Sequence, residues 1–188
     1  MADGSGGALA EHVELAGRID ALLPEVDALA RLVIEAYERG SQLFSFGNGG
    51  SAADAQHLAA ELVGRYDRDR RPLAAVALSV DPSVVTCIGN DFAFEDVFAR
   101  QVQALARSGD VAVAFTTSGR SENVVRGLAA ARERGAATVL FTGGDGKPAL
   151  DNADHALVVP STTTARIQEM HLLLLHLVIE QVDRWAAG

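Results

Sequence analysis

Five short runs, residues 43–46, 73–78, 111–115, 138–141 and 156–159, are apolar almost without interruption and alternate with stretches of helical character. Runs of this kind read as strands buried on both faces, which is the habit of a parallel sheet covered by helices on either side. The helical stretches include 94–106 and 122–134, with Gly109 and Gly135 as stops. Strands alternating with helices imply right-handed crossovers, so the expected fold is α/β: a doubly wound five-stranded parallel sheet flanked by helices. Two more helices precede the first strand. Apolar residues recur at helical spacing from Leu9 through Val13, Ala16, Ile19 and Leu22 to Leu23, and Pro24 then opens a second helix that stops at Gly40. The last element, 164–185, is apolar around most of its circumference and is expected to be largely buried. No linker or composition shift divides the chain, so residues 1–188 read as one domain, with 1–8 flexible and 9–40 forming the added N-terminal helices.

The segments that follow the strands carry the polar chemistry. Gly47-Asn48-Gly49-Gly50-Ser51 closes the first strand, and an Ala-rich helical pattern begins at once. Glycines let backbone approach a ligand closely, and the next helix offers free N–H groups and the positive end of its dipole, which together favour a phosphate. His57 and Glu61, four residues apart, share one helix face about one turn above this loop. An imidazole and a carboxylate so placed can bind a divalent metal or move protons on a ligand whose phosphate sits below. After the third strand, Thr116, Thr117, Ser118 and Ser121 put four hydroxyls near another helix start; capping accounts for one, and the rest suit a phosphate monoester. The segment after the second strand, 79–91, is a third polar cluster at the carboxyl edge of the sheet, where ligands of such folds bind. Neither glycine loop matches a P-loop or a dinucleotide fingerprint, so ATP and NAD are not the expected ligands.

Composition removes several classes. With 48% hydrophobic residues the chain is globular, and its formal net charge of -9 disfavours a nucleic-acid surface. The one basic cluster, 65–71, reads as a solvated loop. Cys87 is the single cysteine, which excludes an internal disulfide framework and fits a reducing cytoplasm. The N-terminus has neither a basic start nor an apolar run, so no signal peptide is read there, and the run 172–179, interrupted by His176, is too short to span a membrane. Among the other histidines, His171 is expected to be a hydrogen-bonded core residue, and His12 and His155 structural or exposed.

The segments GNGGSAADAQHLAAEL, IGNDF, TTSGRSENV, FTGGDG and RIQEMHLLLLH, in this order and spacing, resemble the sugar isomerase (SIS) domain family, and within it the phosphoheptose isomerases. The likeness runs from Gly40 to Glu180. It implies an aldose–ketose isomerase that interconverts sedoheptulose 7-phosphate and D-glycero-D-manno-heptose 7-phosphate through an enediol. By the same resemblance Glu61 is the base that carries the proton between C1 and C2, and His176 the acid. Asn48, Gly49, Gly50 and Ser51 line the sugar-phosphate site, Thr116, Thr117, Ser118 and Ser121 hold the phosphate, and Asn90, Asp91 and Gln168 meet sugar hydroxyls. A zinc ion would be held by His57, Glu61, Gln168 and His176. One departure stands out: 161–165 reads Ser-Thr-Thr-Thr-Ala, where many relatives carry an aspartate. Other members of the family are non-catalytic scaffolds for a replication initiator, or enzymes and sensors for amino-sugar phosphates; the joint presence of His57, Glu61, Gln168 and His176 argues against both.

The apolar excess on the terminal helices predicts an oligomer, a tetramer, in which a neighbour's last helix could complete the site. Gln168 and His176 are eight residues apart, roughly 12 Å along a helix, so both reach one ion only if it lies between them.

Overall fold

The computed structural model describes residues 4–188; the first three residues of the expected flexible start lie outside them. Helix α1 spans Gly4–Ala16, so it begins five residues before the apolar periodicity does. Of its side chains only Leu15 is buried, while Leu9 and Val13 are more than 60% exposed. A 3-10 turn over Ile19–Leu22 separates it from α2, Leu23–Glu38, which has Pro24 in its first turn and buries Val26, Leu29, Ala30, Val33, Ala36 and Tyr37.

Strands β1 (Leu43–Gly47), β2 (Ala75–Ala77), β3 (Val111–Phe115), β4 (Ala137–Gly143) and β5 (His155–Val159) form one parallel sheet in the order β2-β1-β3-β4-β5. β1 and β3 are buried throughout, and β4 nearly so. The edges differ from the expectation of burial on both faces. β2 is only three residues long, with Val76 41% exposed, and His155 of β5 lies open, because an edge strand has a neighbour on one side only.

Successive side chains of the central strands point to opposite faces and divide the core in two. Leu43, Val111, Val113, Phe115, Val139 and Phe141 face α1, α2, α3 (Gly50–Val63) and α7 (Thr164–Ala186). Phe44, Phe46, Ala112, Ala114 and Leu140 face α4 (Pro82–Asp91), α5 (Val97–Leu105) and α6 (Glu122–Glu133). Each fully buried Phe or Leu contributes about 1.5–3 kcal/mol relative to exposure. α4 lies in a segment the sequence pattern gave only as a polar cluster, although its start is marked: Asp81 Oδ1 accepts from the N–H groups of Ser83 and Val84 at 2.9 and 3.1 Å, with Pro82 at the first position. The expected helix 94–106 opens instead as a 3-10 turn, Phe94–Asp96.

Chain direction across the sheet reverses between β1 and β3. Their carboxyl ends are in register, Gly47 opposite Phe115, so the loops 47–51 and 116–121 leave the sheet side by side at its topological switch point.

Candidate active site

Close backbone approach fixes the first loop. A Cβ on Gly47 would lie 2.7 Å from the Ser51 carbonyl oxygen and 2.8 Å from that of Phe115, so only glycine lets the strand turn directly into α3. Gly49 follows with φ +56° at the N-cap, and α3 starts without a side-chain cap. The two loops are then stitched together by a reciprocal amide pair: Asn48 Nδ2 donates to Asn123 Oδ1 at 2.8 Å, and Asn123 Nδ2 to Asn48 Oδ1 at 2.9 Å. Asn123 is buried and was not singled out from the sequence; an amide in the first turn of a helix beside a hydroxyl-rich loop is the signal that marks it.

Between these loops lies a cavity of about 330 Å³ lined by Asn48, Gly49, Gly50, Ser51, Thr116, Thr117, Ser118 and Ser121, together with Phe115, Thr164 and Gln168. The two glycine-loop and hydroxyl sets read from the sequence therefore meet in one place. Neither serine is used as a cap: Ser121 occupies the N-cap position of α6 without a side-chain capping bond, and Ser118 Oγ accepts from the Arg120 N–H at 3.2 Å within its own loop. The expectation that one of them is spent on capping is corrected, and the Ser121 hydroxyl remains available to the cavity. Gln168 reaches the cavity from α7 and packs on Gly50, where a Cβ would lie 2.5 Å from Gln168 Nε2. Asn90 and Asp91 do not line it. They end α4 on an exposed surface, with Asn90 Nδ2 donating to Asp91 Oδ1 at 2.7 Å.

A second group of polar side chains lies further along α3, where it packs against α7. His57 Nε2 is 3.0 Å from Glu61 Oε1, and His176 Nε2 is 3.2 Å from His57 Nε2. The donor atoms of the three residues lie within 4.8 Å of one another, all half-buried and all from one chain. His57 is seven residues beyond Gly50, roughly 10 Å at about 1.5 Å per residue, so the cluster stands two turns from the loop rather than one. The Tyr66 ring lies 5.6 Å from that of His176. Burial pushes the His176 imidazole below its usual range, helped by His57 and opposed by Glu61, which favours the neutral ring that metal ligation or proton exchange requires.

The basic run 65–71 is not wholly a solvated loop: part of it turns inward and ties α3 to α7 beside the cluster. The Arg70 side chain is fully buried and donates to Asp183 of α7 through Nε at 2.9 Å, while its Nη2 donates to the Glu61 carbonyl at 2.6 Å. The Arg68 N–H adds a bond to Asp183 Oδ2 at 3.0 Å. These contacts fasten the end of α3 and the segment after it to α7. Removing one partner of so buried a pair would leave a bare charge and cost about 3–5 kcal/mol.

Two buried groups nearby lack hydrogen-bond partners. Asp54, between the cradle and His57 on α3, has a sealed, unpartnered Oδ2, and burial pushes its carboxyl up to about 6 against a downward pull from His57. His171 is buried as expected, edge-on to Phe115 and Phe141, yet neither ring nitrogen is hydrogen-bonded. Burial pushes it down to about 4, with a weaker upward pull from the Thr142 backbone, which lies outside normal hydrogen-bond geometry. His12 instead meets Glu169 at 2.7 Å, and His155 is exposed.

As to metal, a donor set of two imidazoles and one carboxylate is that of a three-ligand catalytic zinc site, so the residues present fit such an ion. Gln168, two turns before His176, sits at the cradle cavity instead.

The parallel sheet thus carries a glycine- and hydroxyl-lined cavity at its switch point and a histidine–carboxylate cluster two helical turns away; the SIS domain family model matches residues 4–143. The phosphoheptose isomerase of Aquifex aeolicus (strain VF5) is 52% identical over 155 residues, covering 82% of this chain and 81% of that protein. That of Paramagnetospirillum magneticum is 48% identical over 180 residues, 95% and 94% of the two chains. Among solved structures, the phosphoheptose isomerase from Neisseria gonorrhoeae superposes with a TM-score of 0.90 at 40% identity, covering 95% of this chain and 96% of that one. The chain belongs to the phosphoheptose isomerase family of SIS-domain proteins.

Proposed function

We infer that this chain is an aldose–ketose isomerase that converts sedoheptulose 7-phosphate to D-glycero-D-manno-heptose 7-phosphate. The observation that carries the reading is the spacing on α3 between a phosphate cradle at its first turn and a carboxylate–imidazole cluster two turns on. In a heptulose 7-phosphate the reacting carbons, C1 and C2, lie at the far end of the chain from the phosphate, and that separation is what the two sites offer. The cradle hydroxyls of Thr116, Thr117, Ser118 and Ser121, with backbone of Asn48 to Ser51, hold the phosphate; Gln168 meets a sugar hydroxyl on the way.

Glu61 removes the proton α to the carbonyl and returns it to the neighbouring carbon, which a positioned carboxylate can do with a gain of about 10²- to 10⁴-fold. His176 exchanges the proton between the two sugar oxygens, and His57, against both, orients them. A zinc ion held by His57, Glu61 and His176, with Gln168 as a further ligand if α7 adjusts, would supply polarisation of the carbonyl oxygen. Asn90 and Asp91 belong to the sugar site only if another chain or a local movement brings them there.

The wider reading is a cytoplasmic homotetramer in which residues 1–188 form one SIS domain and residues 9–40 its added helices. No helix among the described residues is long and apolar enough to cross a membrane. Exposed apolar side chains on α1 and α7, Leu9, Val13 and Leu173, support self-association. The test of function is incubation with sedoheptulose 7-phosphate followed by NMR. Appearance of the aldose is expected; phosphate binding without conversion would instead support a sensor or scaffold.

A further inference from the structure

A phosphate monoester carries close to two negative charges at neutral pH, whereas the proposed cradle offers no charged side chain, only hydroxyls, the Asn48 and Gln168 amides, backbone N–H groups and the ends of two helix dipoles. The protein itself carries a formal net charge of -9, so the ligand approaches against the overall field, and the nearest free cation matters. Two basic residues near the starts of α6 and α7, the helices that carry Ser121 and Gln168 to the cavity, are already committed. Arg126 is held by Glu122 at 2.7 Å and Asp96 at 2.8 Å, and Arg166 grips Glu169 through two nitrogens while donating to the Ala8 carbonyl.

Arg120 differs from both. It lies within the hydroxyl loop, beside a second cavity of about 670 Å³ that shares Thr117, Ser118 and Thr164 with the cradle, and among the described residues no other Lys or Arg lines either cavity. Its ionic partner is Asp145, Nη2 to Oδ2 at 3.2 Å, and the two side chains are 70% and 59% exposed. A pair so open to water is worth roughly 0–1 kcal/mol, so it parts at little cost. The backbone beneath is rigid by contrast. Gly119 has φ +69° and packs so tightly on the next loop that a Cβ would lie 2.2 Å from the Gly146 carbonyl carbon, and Ala149 N–H donates to Gly119 O at 3.0 Å. A loose cation therefore stands on a fixed platform at the edge of a neutral anion cradle.

We propose that Arg120 is a phosphate-binding residue and Asp145 its built-in competitor. In the free protein the guanidinium rests on Asp145; when a phosphate enters the cradle, the guanidinium turns past Thr117 and Ser118, which line both cavities, and its planar fork takes two phosphate oxygens. The inference rests on the reading of residues 116–121 as a phosphate cradle. Affinity then depends on the difference between two Arg120 contacts, so the two charged residues have opposite effects: loss of Arg120 weakens binding, and loss of Asp145 strengthens it.

The test is calorimetric titration of the full chain with inorganic phosphate at two ionic strengths, for wild type, Arg120→Gln, Arg120→Lys and Asp145→Asn. Both positions are exposed, so the fold tolerates all three substitutions. Arg120→Gln is expected to weaken binding about ten- to a hundredfold and to flatten its salt dependence. Arg120→Lys, which keeps the charge but loses the fork, falls between, and Asp145→Asn binds about two- to fivefold tighter. Equal affinity in Arg120→Gln, or weaker binding in Asp145→Asn, overturns the proposal. If wild type binds phosphate and Arg120→Gln binds it as well, only the role of Arg120 falls; if wild type binds none, the cradle reading falls with it.

Discussion

The cradle and the histidine–carboxylate cluster are built by opposite means. The cradle is assembled from backbone and short side chains at the carboxyl ends of two adjacent strands, and its shape follows from glycines that admit no Cβ and from the reciprocal Asn48–Asn123 amides. The cluster is assembled from long side chains on two helices, and His57 and His176, 119 residues apart, meet only because α7 packs along α3. One site is thus secured by local conformation and the other by tertiary packing. They should therefore fail differently: damage to the first shows in binding, and damage to the second in turnover.

The largest effect belongs to the cluster. His176→Gln is expected to lower kcat by about 10²- to 10⁴-fold with little change in phosphate affinity, and to reduce bound zinc measured by elemental analysis. Because Glu61 and His176 face one another within a chain, refolding His176→Gln together with Glu61→Gln should restore no activity. A substantial return, in mixed assemblies, would mean that a neighbour's α7 completes the site.

Next comes the cradle. Gly119→Ala forces a Cβ into the Gly146 backbone at φ +69°, and should cost about 2–4 kcal/mol in denaturant unfolding, with weaker phosphate binding while kcat at saturation stays close to wild type. Loss of kcat at saturation with affinity intact would erase the distinction between the two sites.

The smallest effect at neutral pH lies between them, at His171, and it grows only as the pH falls. The unfolded imidazole titrates near 6.5 and the buried one near 4, so between these values the unfolded chain binds more protons and stability falls as pH drops. His171→Phe should remove that part of the acid loss, on the order of 3 kcal/mol across the window, as measured by urea unfolding from pH 7 to pH 4. An unchanged pH profile would mean that the ring finds a proton acceptor in solution.

The same contrast explains what could be read in the sequence. The cradle was legible because its determinants are contiguous: GNGGS and TTSGRS each fix a strand end and a helix start, and the parallel sheet brings the two together by register. His57 and Glu61 were legible as a pair, since four residues make a helix face, but their distance from the loop was underestimated by a turn. The meeting of His57 with His176 came only through resemblance, because no local pattern states which helices pack. Arg70 was misread for the same reason: in a run of basic residues nothing marks the one that turns inward to Asp183. α4 escaped because its ten residues carry little periodicity beyond Val84, Val85 and Ile88. The edge strands were read as buried because composition does not reveal strand order.

The central claim is that Glu61 carries a proton between C1 and C2 of a heptose phosphate. Its most direct test is NMR of sedoheptulose 7-phosphate in D₂O with wild type and with Glu61→Gln. Wild type should yield the aldose and introduce solvent deuterium at its C2, while Glu61→Gln, folded and still binding phosphate, should show neither conversion nor exchange. Deuterium exchange at the wild-type rate in Glu61→Gln would contradict the account.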